Sequence, residues 1–121
     1  MVARAYHAAD VNDRTERIAR NEALFRDLNE RTKEITESLT HGEPPRILEI
    51  FCECGQADCV MKLVVGTNVY ETVRAHAVQF LVADGHDAPD VERVVARTDE
   101  YLIVAKFDEA AQIARETDPR D

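Results

Sequence analysis

Three cysteines fall within eight residues, in the segment Phe51-Cys52-Glu53-Cys54-Gly55-Gln56-Ala57-Asp58-Cys59. The spacing is C-x-C-G-x-x-x-C. Thiolates are soft ligands, and Zn²⁺ takes them tetrahedrally with Zn–S bonds of about 2.3 Å. The two-residue period of an extended strand puts Cys52 and Cys54 on one side of it. Gly55 permits a tight turn that returns Cys59 to them. An odd number of cysteines is a poor disulfide framework, so the cluster points to metal binding or thiol reactivity.

A closed zinc site needs a fourth ligand, and the histidines are the candidates. His86 is the first choice. It sits in Gly85-His86-Asp87, a turn between two predicted strands, where Asp84 or Asp87 could orient its ring. His76, His41, a carboxylate or a water are the alternatives. Glu53 lies between two ligands, so strand alternation turns it away from the ion. Three thiolates make zinc a weak Lewis acid, whereas a catalytic zinc keeps an open position and a nearby base. The expectation is therefore structural zinc held by Cys52, Cys54, Cys59 and His86, with no catalytic residue. A zinc-dependent enzyme is one alternative. A thiol/zinc redox sensor is another; there Cys59 is the disulfide partner, because Cys52 and Cys54 are too close to join easily.

The spacing C-x-C-x(4)-C resembles the zinc motif that follows the catalytic domain of SET-type histone methyltransferases. The match covers Cys52 to Cys59 only, so it implies metal binding and no methyl transfer. The segment is also partly similar to the SWIM zinc finger, but Val60 and Met61 stand where that motif needs a histidine. A wider pattern resembles a group of short, uncharacterised bacterial proteins. It runs from Arg20-Asn21-Glu22 through the cysteines, Tyr70-Glu71-x-Val73-Arg74, Gly85-His86 and Val91-Glu92-Arg93-Val94-Val95 to Lys106 and Thr117-Asp118-Pro119-Arg120. That resemblance implies a stand-alone protein and no particular activity.

Other chemistry lacks its signature. There is no Gly-rich phosphate loop, G-x-S-x-G or H-E-x-x-H, and no H-x-E with P-C-x-x-C. The acidic pairs Asp87/Asp90 and Glu92/Glu100 read as solvated faces, and Arg93 and Arg97 as the exposed side of a strand.

The elements that would hold the cluster form an α+β fold. A long helix over 11–39 has no Gly or Pro, and residues 1–10 read as frayed. Val11, Ile18, Phe25 and Leu39 recur at multiples of seven, with Leu28 and Ile35 beside them. This narrow, coiled-coil-like stripe suits a helix packed on its own domain, on a second copy or on a partner. His41-Gly42-Glu43-Pro44-Pro45 breaks the chain into an N-terminal helical arm, 1–40, and a zinc-stapled domain, 41–121. The second part reads as strands over 47–54, 60–65, 80–83, 91–97 and 101–106, mainly antiparallel. Met61, Leu63 and Val65 share a face, and Thr98-Asp99-Glu100 turns a hairpin. A short helix over 67–76, capped by Thr67 or Asn68, and a last helix over 108–117 complete it. The last helix faces inward through Phe107, Ala110, Ala111 and Ala114.

At 121 residues and 13.7 kDa the chain can bury a real core. It carries 15 Lys and Arg against 24 Asp and Glu, a net charge of −9. The second part holds nearly all of it: 8 basic against 16 acidic residues, where residues 1–40 hold 7 against 8. That balance opposes binding to nucleic acid or anionic membrane and favours a protein partner with a basic surface, or self-association through residues 11–39. No segment reaches the roughly 20 apolar residues of a membrane span, and the first residues lack a signal-peptide core, so a cytoplasmic location is expected. The functional expectation is a small, non-enzymatic interaction or regulatory protein with structural zinc.

Overall fold

The computed structural model describes residues 2–41, 43 and 45–120, with side chains from Asp13 onward. The fold is α+β. A long helix, α1 (Val2–Leu39), leads into strands β1 (Ile47–Phe51) and β2 (Lys62–Gly66). Helix α2 (Thr67–Arg74), strands β3 (Gln79–Val82), β4 (Glu92–Arg97) and β5 (Leu102–Lys106), and helix α3 (Asp108–Glu116) follow. The β-structure is two antiparallel sheets: β1-β2, and three strands in the order β3-β5-β4. No described helix is long and apolar enough to cross a membrane.

Local chemistry accounts for these elements and for several departures from expectation. Helix α1 begins well before residue 11, because Ala3, Ala5, Ala8 and Ala9 are strong helix formers. It ends at Leu39, and His41 takes a left-handed φ of 58° in the break that follows. The expected breakers Gly42 and Pro44 lie outside the described residues. In β1 and β2, Leu48, Ile50, Leu63 and Val65 point into the core, with Ile50 opposite Leu63. Met61 is exposed; it precedes the paired residues of β2 and does not share their inward face. Gly66, not Thr67 or Asn68, caps α2, because the Thr67 hydroxyl is spent on the carbonyl of Pro45. The hairpin forms as expected, with Thr98 and Tyr101 bonded across its turn. A register shift between Val94 and Ala96 accompanies an exposed Val95. Helix α3 faces inward through Ala110, Ala111, Ala114 and also Ile113, whereas Phe107 is partly exposed.

The main departure concerns α1. It packs on α3 and β1 mainly through a polar face, with only Ile18 and Phe25 of its apolar stripe taking part. The buried face is Ala19, Glu22, Ala23, Arg26, Asn29 and Glu30, at three- and four-residue spacing. Every polar member finds a partner. Glu22 meets Lys106 of β5. Arg26 donates to the carbonyls of Ala77 and Ala114. Glu30 accepts from the Tyr70 hydroxyl and the Arg120 guanidinium. Asn29 bonds both backbone groups of Phe51, donating to its carbonyl and accepting from its amide. Buried polar groups are tolerated when they are hydrogen-bonded, and here the bonds also fix the register of the helix. Of the stripe, Ile18 and Phe25 lie half-buried at the edge of this contact, while Leu28, Ile35 and Leu39 face solvent together with Leu24. The Val11 side chain lies outside the described residues.

Glu92 is a second correction. It is buried, not on a solvated face, and shares Lys106 with Glu22. Glu100 and Asp90 are exposed as expected, the latter paired with Arg14.

Candidate metal centre

The structure brings Cys52, Cys54, Cys59 and His86 together, with their ligand atoms all within 4.8 Å of one another. Two routes of the chain converge there. Beyond β1 the strand-like course persists: the Cys52 amide donates to the Met61 carbonyl at 2.9 Å, and the Glu53 amide to the Leu81 carbonyl at 2.8 Å. This keeps Cys52 and Cys54 on one side and Glu53 on the other, as the strand period requires. The chain turns at Gly55, and the Cys59 amide closes the turn on the Gln56 carbonyl at 3.1 Å. His86 arrives from the loop after β3, where its amide bonds the Ala83 carbonyl and Gly85 takes a φ of 83°. A side chain at Gly85 would be strained in that left-handed conformation.

The distances suit one small ion. His86 Nδ1 lies 3.7 Å from Cys52 Sγ and 3.5 Å from Cys59 Sγ. A tetrahedral ion with bonds of about 2.3 Å to sulfur and about 2.0–2.1 Å to nitrogen would separate those ligands by about 3.6 Å. Comparison of the chain with protein families, with curated proteins and with solved structures gives no match. The reading of the site therefore rests on its own geometry.

Backbone amides support the thiolate form. The Ala83 amide donates to Cys52 Sγ at 3.1 Å. Hydrogen bonds from the backbone at Gln56 and Met61 act in the same direction on Cys54 and Cys59. Charge-assisted bonds of this kind stabilise a sulfur anion. With no cation between them, the three sulfurs compete for protons. Hydrogen bonding from Cys52 lowers Cys54 to about 5, while the same bond and burial push Cys52 up. Burial also raises Cys59. A divalent ion removes this conflict by attracting all three thiolates.

The other sequence candidates lie elsewhere. His41 and His76 are exposed and outside the cluster. Asp84 pairs with Arg97, and among the described residues neither Asp84 nor Asp87 bonds the His86 ring. Glu53 does face away from the sulfurs, but into the core. There it accepts from the Asn29 side chain, the Arg74 guanidinium and the Leu81 amide.

Sequence reasoning missed the helix that covers the cluster. The Asn21 side chain donates to the Gly55 carbonyl at 3.2 Å. A methyl group at Gly55 would stand 2.4 Å from Ile18 Cγ2, so the backbone of the cysteine turn touches α1 directly. Asn29 holds Phe51 and Glu53 from the same helix. Asparagines in a helix carry no spacing signal that points to such a role.

Proposed function

We propose that the chain is a cytoplasmic zinc-binding interaction or regulatory protein, that its zinc is structural, and that it is not an enzyme. The observation that carries the reading is the Cys3His set with ligand separations near a tetrahedral edge. Soft thiolates with one imidazole favour zinc over the hard, oxygen-seeking ions. Four protein donors complete a tetrahedron and leave no position for substrate or water, which supports structure over catalysis. The resemblance of Cys52–Cys59 to the zinc motif after SET domains agrees. All three thiols are buried, which favours this reading over a redox sensor, since oxidation follows exposure and thiolate character. The ion would tie the turn after β1 to the His86 loop.

Zinc X-ray absorption on purified protein tests the site. The expected result is one zinc per chain with a three-sulfur, one-nitrogen shell. His86→Ala is expected to lower zinc affinity about 10-fold or more, since a lost ligand costs at least what a lost supporting group does. Metal-free protein after expression with zinc would overturn the reading.

The partner-facing element is the outer edge of α1. Leu24, Ile35 and Leu39 are 62%, 61% and 76% exposed, on one stripe of the helix with Leu28. Burying a Leu or Ile contributes roughly 1.5–3 kcal/mol, so Ile35→Glu with Leu39→Glu is expected to weaken association through this edge at least ~100-fold. Sedimentation of both proteins checks this. A heavier wild type that the substitutions render monomeric supports a second copy. A monomeric wild type moves the reading to a partner with a basic surface, which the acidic domain would attract.

A further inference from the structure

The outer edge of β2 carries backbone groups that the fold does not use. The β1-β2 ladder sets Cys52 opposite Met61 and Arg46 opposite Thr67, with the Cys52 amide on the Met61 carbonyl and the Thr67 amide on the Arg46 carbonyl, each at 2.9 Å. Bonding alternates along an antiparallel strand. Leu63 and Val65 therefore bond toward β1, while Lys62 and Val64 turn their amides and carbonyls away from it. Phe51 shows the same alternation on the opposite edge of the hairpin, where its amide and carbonyl meet Asn29. Strand β2 pairs with β1 alone, and among the described residues nothing bonds the backbone of Lys62 or Val64.

The side chains around this edge are mostly apolar. Ile47, Val60 and Val64 are 63%, 79% and 47% exposed. An open edge of this kind is a template for another strand, and a lysine on it usually guards against pairing. Lys62 does not guard this one. Its ammonium is turned back over β1, 3.5 Å from Glu49 and 5.6 Å from the centre of the Phe51 ring, and so does not project across the gap. Between Ile47 and Phe51 and between Val60 and Gly66 the only charges are Glu49 and Lys62. The edge therefore has no net charge, on a chain of net charge −9.

We propose that β2 pairs with β2 of a second copy of the chain, antiparallel about a two-fold axis at Leu63, so that the two hairpins form one continuous sheet. The free groups are self-complementary in this register. Lys62 exchanges both backbone bonds with Val64 of the second copy, and Val64 with its Lys62. Val60 then stands opposite Gly66, which has no side chain to meet it, and beside Ile47, the ladder partner of Gly66. At Gly66 the nearest atom to an added methyl is Val69 Cγ2, at 3.9 Å, so the backbone there is open to a neighbour. The charge balance selects the same occupant. A basic partner gains nothing from a neutral edge, whereas two equally acidic copies repel least where their local charge is zero. This surface is separate from the outer edge of α1, and neither reading rests on the other.

The test is sedimentation of the full-length protein, joined to amide hydrogen exchange by NMR at high and low protein concentration. The expected wild type is a dimer whose Lys62 and Val64 amides are protected and lose that protection on dilution. The Leu63 amide, which bonds within the hairpin, stays protected at both concentrations. Val64→Lys places like charges opposite each other twice across the axis, and is expected to weaken the dimer about 10-fold or more while leaving the exposed strand folded. Val64→Pro removes an outward-facing donor from each copy, a change an edge strand tolerates, and is expected to weaken it by about as much. If Val64→Pro fails to fold, Val64→Lys decides. Ile35→Glu with Leu39→Glu does not touch β2 and is expected to leave this dimer in place, which separates it from association through α1. A monomeric wild type at the higher concentration would overturn the proposal. So would a dimer that Val64→Lys leaves unchanged, or one in which the Lys62 and Val64 amides exchange as fast as in the monomer.

Discussion

Chelating the metal is expected to abolish cooperative folding of the part around β1, β2 and β3 and to loosen α1 with it. Structural zinc in small domains contributes on the order of 10–16 kcal/mol at neutral pH, as much as the whole stability of a typical domain. Here the ion would tie the cysteine turn to the His86 loop, beyond the bonds that already join Cys52 and Glu53 to Leu81 and Ala83. The turn Gly55–Asp58 has no regular structure, and the His86 loop is held at a left-handed glycine. Without a cation, Cys54 favours the thiolate while Cys52 and Cys59 favour the thiol, in a buried place that solvates the thiolate poorly. The loss reaches α1 because the helix is docked on this turn by Ile18, Asn21 and Asn29. Two measurements check the expectation. Thermal melting by circular dichroism should shift to much lower temperature with chelator and return with added zinc. Hydrogen exchange should show lost protection over 18–29 as well as over 51–60. An unchanged, cooperative melt after chelation would contradict a structural role for the ion.

The site was legible in the sequence because its signal is local. Cys52, Cys54, Gly55 and Cys59 sit within one turn, and the chemistry of thiolates narrows what they can do. His86 was legible for a weaker reason: Gly85 marks a turn, and turns present side chains. The elements were legible where hydrophobic periodicity is strong, as in β1, β2 and β5; the grouping of the strands into two sheets was not. What stayed hidden was long-range pairing of polar groups. The apolar stripe gives no sign that Glu22, Arg26, Asn29 and Glu30 are buried, yet they form the docking face of α1. Their partners lie far along the chain, at Lys106, Ala114, Glu53 and Tyr70. Periodicity counts apolar residues and is blind to a face whose burial depends on matched donors and acceptors. Glu92 was misplaced for the same reason.

Those matched groups are also where a single substitution should cost most after the Cys3His cluster. Lys106→Met is expected to destabilise the protein by about 3–5 kcal/mol at neutral pH, the cost of leaving buried charges unpaired. The Lys106 ammonium contacts the carboxylates of Glu22 and Glu92, and all three side chains are sealed from solvent. Glu92 has a further donor in the Ala88 amide, whereas one oxygen of Glu22 has none. Two carboxylates around one ammonium leave an excess negative charge, so a proton on Glu22 is favoured. Burial raises its pKa well above the ordinary carboxylate range; Lys106 opposes the rise and Glu92 adds to it. The sign of the pH dependence follows. A carboxyl raised in the folded state binds its proton more tightly there than in the unfolded chain. Its contribution is complete below the unfolded value of about 4.3 and is lost as pH rises through the folded value. Glu22→Gln keeps the shape, removes the excess charge and leaves Lys106 paired with Glu92. It is therefore expected to flatten the decline in stability above the ordinary carboxylate range without lowering stability at neutral pH. Urea unfolding of the wild type and both variants across that range checks the argument. The Lys106→Met penalty should shrink toward acid, where the carboxylates are neutral. A penalty that is independent of pH would show that Lys106 acts by packing alone, and a slope that survives Glu22→Gln would place the proton on another group.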